Sequence, residues 1–545
     1  MSVDQSPPPS PLESVATTKR PGWLRLSHTH TALSATLLLM VSTILSRVIG
    51  LVRETYIAWL FGAGAQTDAY RAAFQLPDMI NYFLVGGVAS VTFVTILSRY
   101  REEGREAEGE AALASILTLM LVVLTAGIIF AEIFARSYVA WWFNGFSPEK
   151  IALTTHMTRI LLPVQLFFFV GGVLGAVLLV RKQFAYQAVT PLIYNLGIIF
   201  GGVLFARHYG VSGLAWGALI GVVAGPFLLN LIGVYRADFR LRLSLVWNHP
   251  GLREWVRLSL PLMLGVSIVT FDSWIINHLA SHGDGQIARL NYAKALFTAP
   301  MAVLAMAAGA AAQPFFASLI SQGKRAEFAA TVNSSITRIV AVSLLASAWM
   351  IGLAQPLVNV VYRRGALHQA DALTIALYFS VFAISLFCWA SQSIYSRAFY
   401  AAGNTLTPML AGTVIVIVSY PLYSWLYLHH GALGLAIASN TAILAHTIAV
   451  AVLLNRTRLV PLRGLQWREL ARSLFTALVS FAALAGLGHL VPVHGGLALN
   501  AAYILVGSVL WLGICYALLT LLGSSLPHTV FGRFLKRAQK KTAPA

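Results

Sequence analysis

Acidic residues are scarce in this chain: 19 aspartates and glutamates among 545 residues, against 38 lysines and arginines. Charged residues of both signs make up only 10 %, where a soluble protein carries roughly a quarter. That shortage excludes the several soluble domains that length alone would imply. Cysteine is nearly absent too. Cys388 and Cys515 both sit inside apolar runs, so no disulfide framework follows, and no metal-ligand spacing is found. There is no phosphate-cradling glycine loop and no nucleophile–base arrangement, so neither an enzyme, a cofactor nor a metal is expected. A membrane-bound glycosyltransferase or ligase would need clustered acids or histidines at a membrane surface. The one acidic run, "REEGREAEGE" from Arg101 to Glu110, mixes both signs and reads as a solvated turn or helix.

Apolar side chains make up 58 % of the sequence and the mean hydropathy is +0.73. About fourteen stretches reach the roughly 20 apolar residues that a helix needs to cross a bilayer, from Thr31–Phe61 to Leu497–Leu522. Barrel strands would be shorter and would alternate. The expected fold is an all-α polytopic membrane protein of about 14 transmembrane helices in a six-plus-eight arrangement. The longest basic connection marks the boundary. Residues 1–30 read as a disordered tail, 31–235 as a six-helix bundle, 236–254 as a linker, 255–523 as an eight-helix bundle and 524–545 as a basic tail.

The net charge of +19 does not indicate nucleic acid, because the basic residues form no single patch. They recur between spans, at Arg99–Arg105, Arg181–Lys182, Arg236–Arg242, Lys324–Arg325, Arg456–Arg463 and Arg533–Lys541. With fourteen spans, about 26 lysines and arginines fall on the side of the termini and about 6 on the other, which places both termini in the cytoplasm. Pro163, Pro226, Pro300, Pro314 and Pro421 and the pairs Gly86–Gly87, Gly171–Gly172 and Gly201–Gly202 interrupt the spans. Ordinary helix packing accounts for most of them.

A few charges lie deep. Arg47 is near the middle of the first span, and Glu54 is seven residues on, two turns away on the same face. Arg53, Glu54, Asp78, Asp272 and Lys294 all fall about 12 Å below the outer surface at a rise of about 1.5 Å per residue. Charges at such depth face a cavity or a partner. Two readings of this layer stand side by side: an outer gate closed by ion pairs across the two bundles, and static buried pairs. Asp68 reads as the N-cap of its own helix, with Arg71 able to pair with it one turn later. His278 and His282 read as a solvated face.

The stretch "SRVIGLVRETYIAWLFGAGAQTDAYRAAFQLP", Ser46 to Pro77, resembles the start of the MurJ/MviN family of lipid II flippases. The matches to its motifs are Ser46, Arg47, Gly50, Arg53 and Glu54; Phe61, Gly62 and Gly64; Thr67, Asp68 and Ala69; and Phe74, Leu76 and Pro77. Weaker echoes are "NYAKALFTAP" at Asn291 and "FYAAGNTLTP" at Phe399. The resemblance implies a multi-pass protein of the bacterial inner membrane that works by alternating access. It also implies a central cationic cavity for the diphosphate head of a polyprenyl-linked saccharide, and a groove at the last two helices for the polyprenyl tail. Arg47 and Arg53 carry over as substrate-binding residues. Lys294 joins them on its charge, while Glu54, Asp78 and Asp272 are assigned to the gate layer. The departures are Asn81, Tyr82 and Gly86, where the family has an arginine pair and a glutamate; Lys294–Ala295, where it has Asp-Arg; and Asp78, where it has Asn. Lys294 and Arg71 are candidates for displaced positive charge. Other polyprenyl-diphosphate saccharides remain alternatives as cargo, as does a cation-coupled drug exporter using Asp272. Membrane lipids are expected partners, and a coupling cation or proton stays open.

Overall fold

In a computed structural model, residues 32–85, 88–237, 243–244, 246–264, 268–490 and 496–527 are described. The two tails, Gly86–Gly87, Arg240 and Arg242 lie outside them. Within the described residues every regular element is helical, as it must be where no water is present to satisfy exposed backbone groups.

Where they are described, the expected spans fall on helix. The first is α1 (Ala32–Phe61). The second is broken into α2 (Ala65–Ala73), α3 (Gln75–Ile80), a π-helical turn at Asn81–Val85 and α4 (Val88–Glu102). Next come α5 (Glu106–Trp142), then α6 (Pro148–Leu161) and α7 (Val164–Val180) joined at Pro163. Helix α8 (Phe184–Tyr209) precedes α9 (Ser212–Val222), which runs through a π-helical segment around Pro226 into α10 (Asn230–Arg236). The seventh span is α11 (Pro250–Leu264) with α12 (Ile268–Ala280). The eighth is α13 (Gln286–Met301) with α14 (Ala307–Ser321). Helix α15 (Arg325–Gly352) is followed by the short α16 (Ala354–Val361), then by α17 (Gln369–Ile384) bent 41° against α18 (Leu386–Ala401). Helix α19 (Leu406–Arg456) has 51 residues. At about 1.5 Å per residue that is more than twice a bilayer core, and two helices meet within it at Gly431, whose φ is 57°. The last two spans are α20 (Trp467–Leu490) and α21 (Leu497–Leu521).

Sequence explains several starts and breaks. Ser147 caps α6 by accepting from the Lys150 amide at 3.3 Å, with Pro148 at the first helical position, where its missing N–H costs nothing. Glycine pairs serve close packing: a Cβ on Gly201 would strike the backbone of Gly217, and one on Gly171 the carbonyl of Pro226. The loop from Arg101 to Glu110 is solvated as expected, with Arg105 between Glu103 and Glu108 at the surface.

Two units pack around cavities. The face that carries Arg99, Arg101, Arg105 and Arg181 is the basic face, and the far face is opposite. One apolar core near the far face joins both units, bringing Ala58, Val139 and Phe143 against Ile276, Leu290 and Tyr362. Toward the basic face the cores are separate. Phe93, Leu117 and Phe169 belong to one, and Phe316, Phe328 and Phe399 to the other. The inner half of the seventh span belongs with the first unit. Trp255 of α11 stacks on Phe93 at 5.9 Å, and Glu254 accepts from Arg99 of α4 at 2.7 Å. The Arg99 hydrogen bond holds the Glu254 carboxyl below the usual glutamate range.

Candidate functional site

Arg47 projects from α1 and carries no ion pair or hydrogen bond among the described residues. It lines a cavity of about 530 Å³ together with Ser46, Asn195, Ala295 and Thr298, so the cavity lies between α1 and α8 of the first unit and α13 of the second. Arg53 lines this cavity and also a second one of about 600 Å³, which holds Asp78, Asn81, Tyr82, Ser273 and Trp274.

Apart from Asp78, the remaining deep charges are paired. Glu54 is 5 % exposed and receives Arg53 at 2.7 Å and the guanidinium of Arg71. Arg53 also donates to the Asn195 amide oxygen at 3.0 Å. Tyr70 and Tyr292 flank Arg71, 5.9 and 5.4 Å from its guanidinium carbon. In the second unit Asp272 is buried. One of its oxygens accepts from Lys294 and the other from the Tyr423 hydroxyl, while Lys294 also donates to Ser273 at 2.8 Å.

This geometry corrects the expected layer. Its ion pairs do not bridge the units: Glu54 is neutralised within the first and Asp272 within the second. Depth along a helix says nothing about which way a side chain turns, and the acids turn toward cations on their own side. Asp78 has no partner among the described residues and faces the cavity. Lys294 and Arg71 line a third cavity of about 240 Å³, but each is held by an acid, so neither supplies displaced free charge. Arg71 pairs with Glu54 and not with Asp68.

The contacts that do cross between units cluster at the far face. Asp68, fully buried, caps α13 of the other unit and not its own helix. It accepts from the backbone amides of Gly285 at 2.6 Å and Ala288 at 2.8 Å. Lys150 bridges it to Asp284, at 3.1 and 2.9 Å. The Ala366 amide donates to the Trp59 carbonyl at 2.9 Å, the Tyr292 hydroxyl to the Gly62 carbonyl at 3.1 Å, and His278 meets the Trp142 carbonyl at 2.5 Å. His278 is therefore a packed contact rather than a solvated one. Two glycines make the approach possible. Gly285 and Gly365 have φ of 73° and 56°, and a Cβ on either would collide with a carbonyl across the interface, that of Ala63 or Trp59. Sequence reasoning missed Lys150, Asp284, Asn195 and Tyr423. The Gly-Asp-Gly at 283–285 was a visible turn signal, but nothing local marks the other three.

The Asp272–Lys294 pair yields a direct expectation. Removing one member of a buried pair costs of order 3–5 kcal/mol. Asp272→Lys should sharply lower the melting temperature of the purified protein, and Lys294→Asp in the same chain should recover most of the loss. A double variant no better than the single would show that the two do not depend on each other.

Relatives in other organisms align over much of the chain. "Probable lipid II flippase MurJ" of Buchnera aphidicola is 25 % identical over 457 residues, which is 83 % of this chain and 89 % of that protein. "Lipid II flippase MurJ" of Burkholderia cenocepacia is 26 % identical over 390 residues, 69 % and 75 % of the two chains. Among solved structures, "Lipid II flippase MurJ, inward closed conformation" superposes with a TM-score of 0.74 at 21 % identity, over 89 % of this chain and 99 % of that one. An inward-facing multidrug resistance MATE family transporter of the MOP superfamily gives 0.64 at 15 %, over 79 % and 99 %. At those identities the structures establish only the fold. The family profile described as "Lipid II flippase MurJ" decides more, because it matches residues 57–505, and by that match the chain belongs to the MurJ family of lipid II flippases.

Proposed function

We propose that this protein is a flippase that carries lipid II from the inner to the outer leaflet of the bacterial cytoplasmic membrane, for peptidoglycan synthesis. The observation that carries the reading is Arg47: a guanidinium with no protein partner among the described residues, on the wall of a cavity between two units. A planar, permanently charged donor is suited to a diphosphate. Arg53 extends the path toward the second cavity. Membership of the family favours lipid II over other polyprenyl-linked saccharides, and the likeness to a drug exporter is one of fold.

The basic face lies in the cytoplasm in this reading, with both termini beside it. The diphosphate enters from that side and meets Arg47 while the far-face contacts of Asp68, Lys150 and Trp59 keep the outer side shut. Transport requires those contacts to part and re-form; no bond of the substrate is made or broken. Membrane potential acts on the anionic head with about 2.3 kcal/mol per charge per 100 mV, directed outward when the cell interior is negative. Both Asp272 oxygens are engaged, so a coupling cation or proton there would have to displace Lys294 or Tyr423.

Complementation tests this. A host depleted of its own lipid II flippase should regain growth when this chain is expressed, and Arg47→Ala at equal membrane abundance should not restore it. Rescue by both would remove Arg47 from the mechanism. Failure of well-inserted wild-type protein would assign the path to another polyprenyl-linked saccharide.

A further inference from the structure

Asp78 has no task in the cycle above. Glu54, Asp68 and Asp272 each receive a cation or hydrogen bonds from the protein, whereas the Asp78 carboxylate has neither among the described residues. The two guanidinium groups that share its cavity, Arg53 and Arg71, are committed to Glu54. The cavity, about 600 Å³, therefore holds a carboxyl group that no cation among the described residues touches.

Its walls narrow the choice of partner. Asn81 and Tyr82 follow Asp78 by about one helical turn and line the same cavity, in a π-helical turn of the kind that re-aims side chains. The Tyr82 ring meets Trp274 of the other unit edge-on at 5.7 Å, and Trp274 packs on Phe271 at 4.6 Å. Opposite them the amides form a chain in which Asn291 donates to Asn277 at 2.9 Å and Asn277 to Gln75 at 3.3 Å. A small metal ion wants a shell of oxygens, and no group of three or more carboxylate, histidine or cysteine ligands occurs among the described residues. One carboxylate beside aromatic rings is instead the chemistry that takes an organic ammonium: a charge-assisted hydrogen bond on one side and ring faces on the other.

We propose that Asp78, with Tyr82 and Trp274, forms a subsite for a primary ammonium group on the translocated head group, at the opposite end of that head from the diphosphate at Arg47. The proposal rests on the flippase reading. Arg53 lines both cavities, so a single extended head group passing it occupies both. The subsite makes the protein selective: a head group with a free side-chain amine binds better than the same head group with that amine acylated.

The test uses purified full-length protein in nanodiscs and two probes, a short-chain lipid II whose peptide carries a free lysine ammonium and its Nε-acetylated counterpart. The wild type should bind the free-amine probe on the order of tenfold more tightly at low salt, the difference of one charge-assisted contact. Asp78→Asn, close to isosteric, should bring the two probes to within about twofold, and Arg47→Ala should weaken both. Equal binding of the two probes by wild type, or a preference that survives Asp78→Asn, overturns the subsite and leaves the flippase reading standing. Binding of neither probe overturns both. The wild-type comparison needs no variant, so misfolding of Asp78→Asn cannot rescue the proposal.

Discussion

Asp68→Ala should leave the far face unable to hold its closed arrangement. The carboxylate is fully buried and satisfies two backbone amides at the start of α13 as well as the Lys150 ammonium. Its removal strands both amides and leaves Lys150 with the exposed Asp284 alone, and breaking a buried charge pair costs about 3–5 kcal/mol. A loss of that size shifts a two-state equilibrium by roughly two to four orders of magnitude. Thiol labelling reads it. Ser273→Cys places a reporter in the central cavity, and the native thiols Cys388 and Cys515 are buried. In the Asp68→Ala background a membrane-impermeant reagent added from the far side should label position 273 far faster than in its parent, and transport should fall because each cycle must close. Equal labelling would mean that closure does not depend on this latch.

Glu54→Gln is the second large effect, and its sign can be checked by a cycle. Glu54 is the acid that holds Arg53 and Arg71 beside each other, away from solvent. Without it two guanidinium groups face one another with one amide between them, at a cost of order 3–5 kcal/mol. The melting temperature should drop steeply and transport should cease. Adding Arg71→Gln removes one of the repelling charges, so the double variant should melt higher than Glu54→Gln alone. Additive losses would show that Glu54 acts on neither arginine.

Much of the architecture was legible because the bilayer constrains it: an all-helical chain and the lengths of its spans follow from solvation alone. The deep charges were legible as a set. Their pairing was not. Asp68 and Arg71 are three apart on one helix, which made a local pair plausible, yet Arg71 finds Glu54 across a turn and Asp68 finds Gly285 217 positions away. A capping aspartate looks the same in sequence whichever helix it caps. Helix α11 was placed with the second bundle because it follows the linker, but its Trp255 fills a gap against Phe93 in the first. Arg47 was the easier case, since no acid lies on its own helix face nearer than Glu54, and Glu54 is occupied.

A crosslink across the far face tests alternating access most directly. Trp59 and Ala366 lie on opposite units with their backbones hydrogen-bonded at 2.9 Å. A chain carrying Trp59→Cys and Ala366→Cys, reconstituted in vesicles with fluorescent lipid II, should flip the lipid when reduced, stop when the pair is joined, and resume on reduction. Flipping at the reduced rate by fully crosslinked protein would contradict the account, because the substrate would then be crossing without the two units parting.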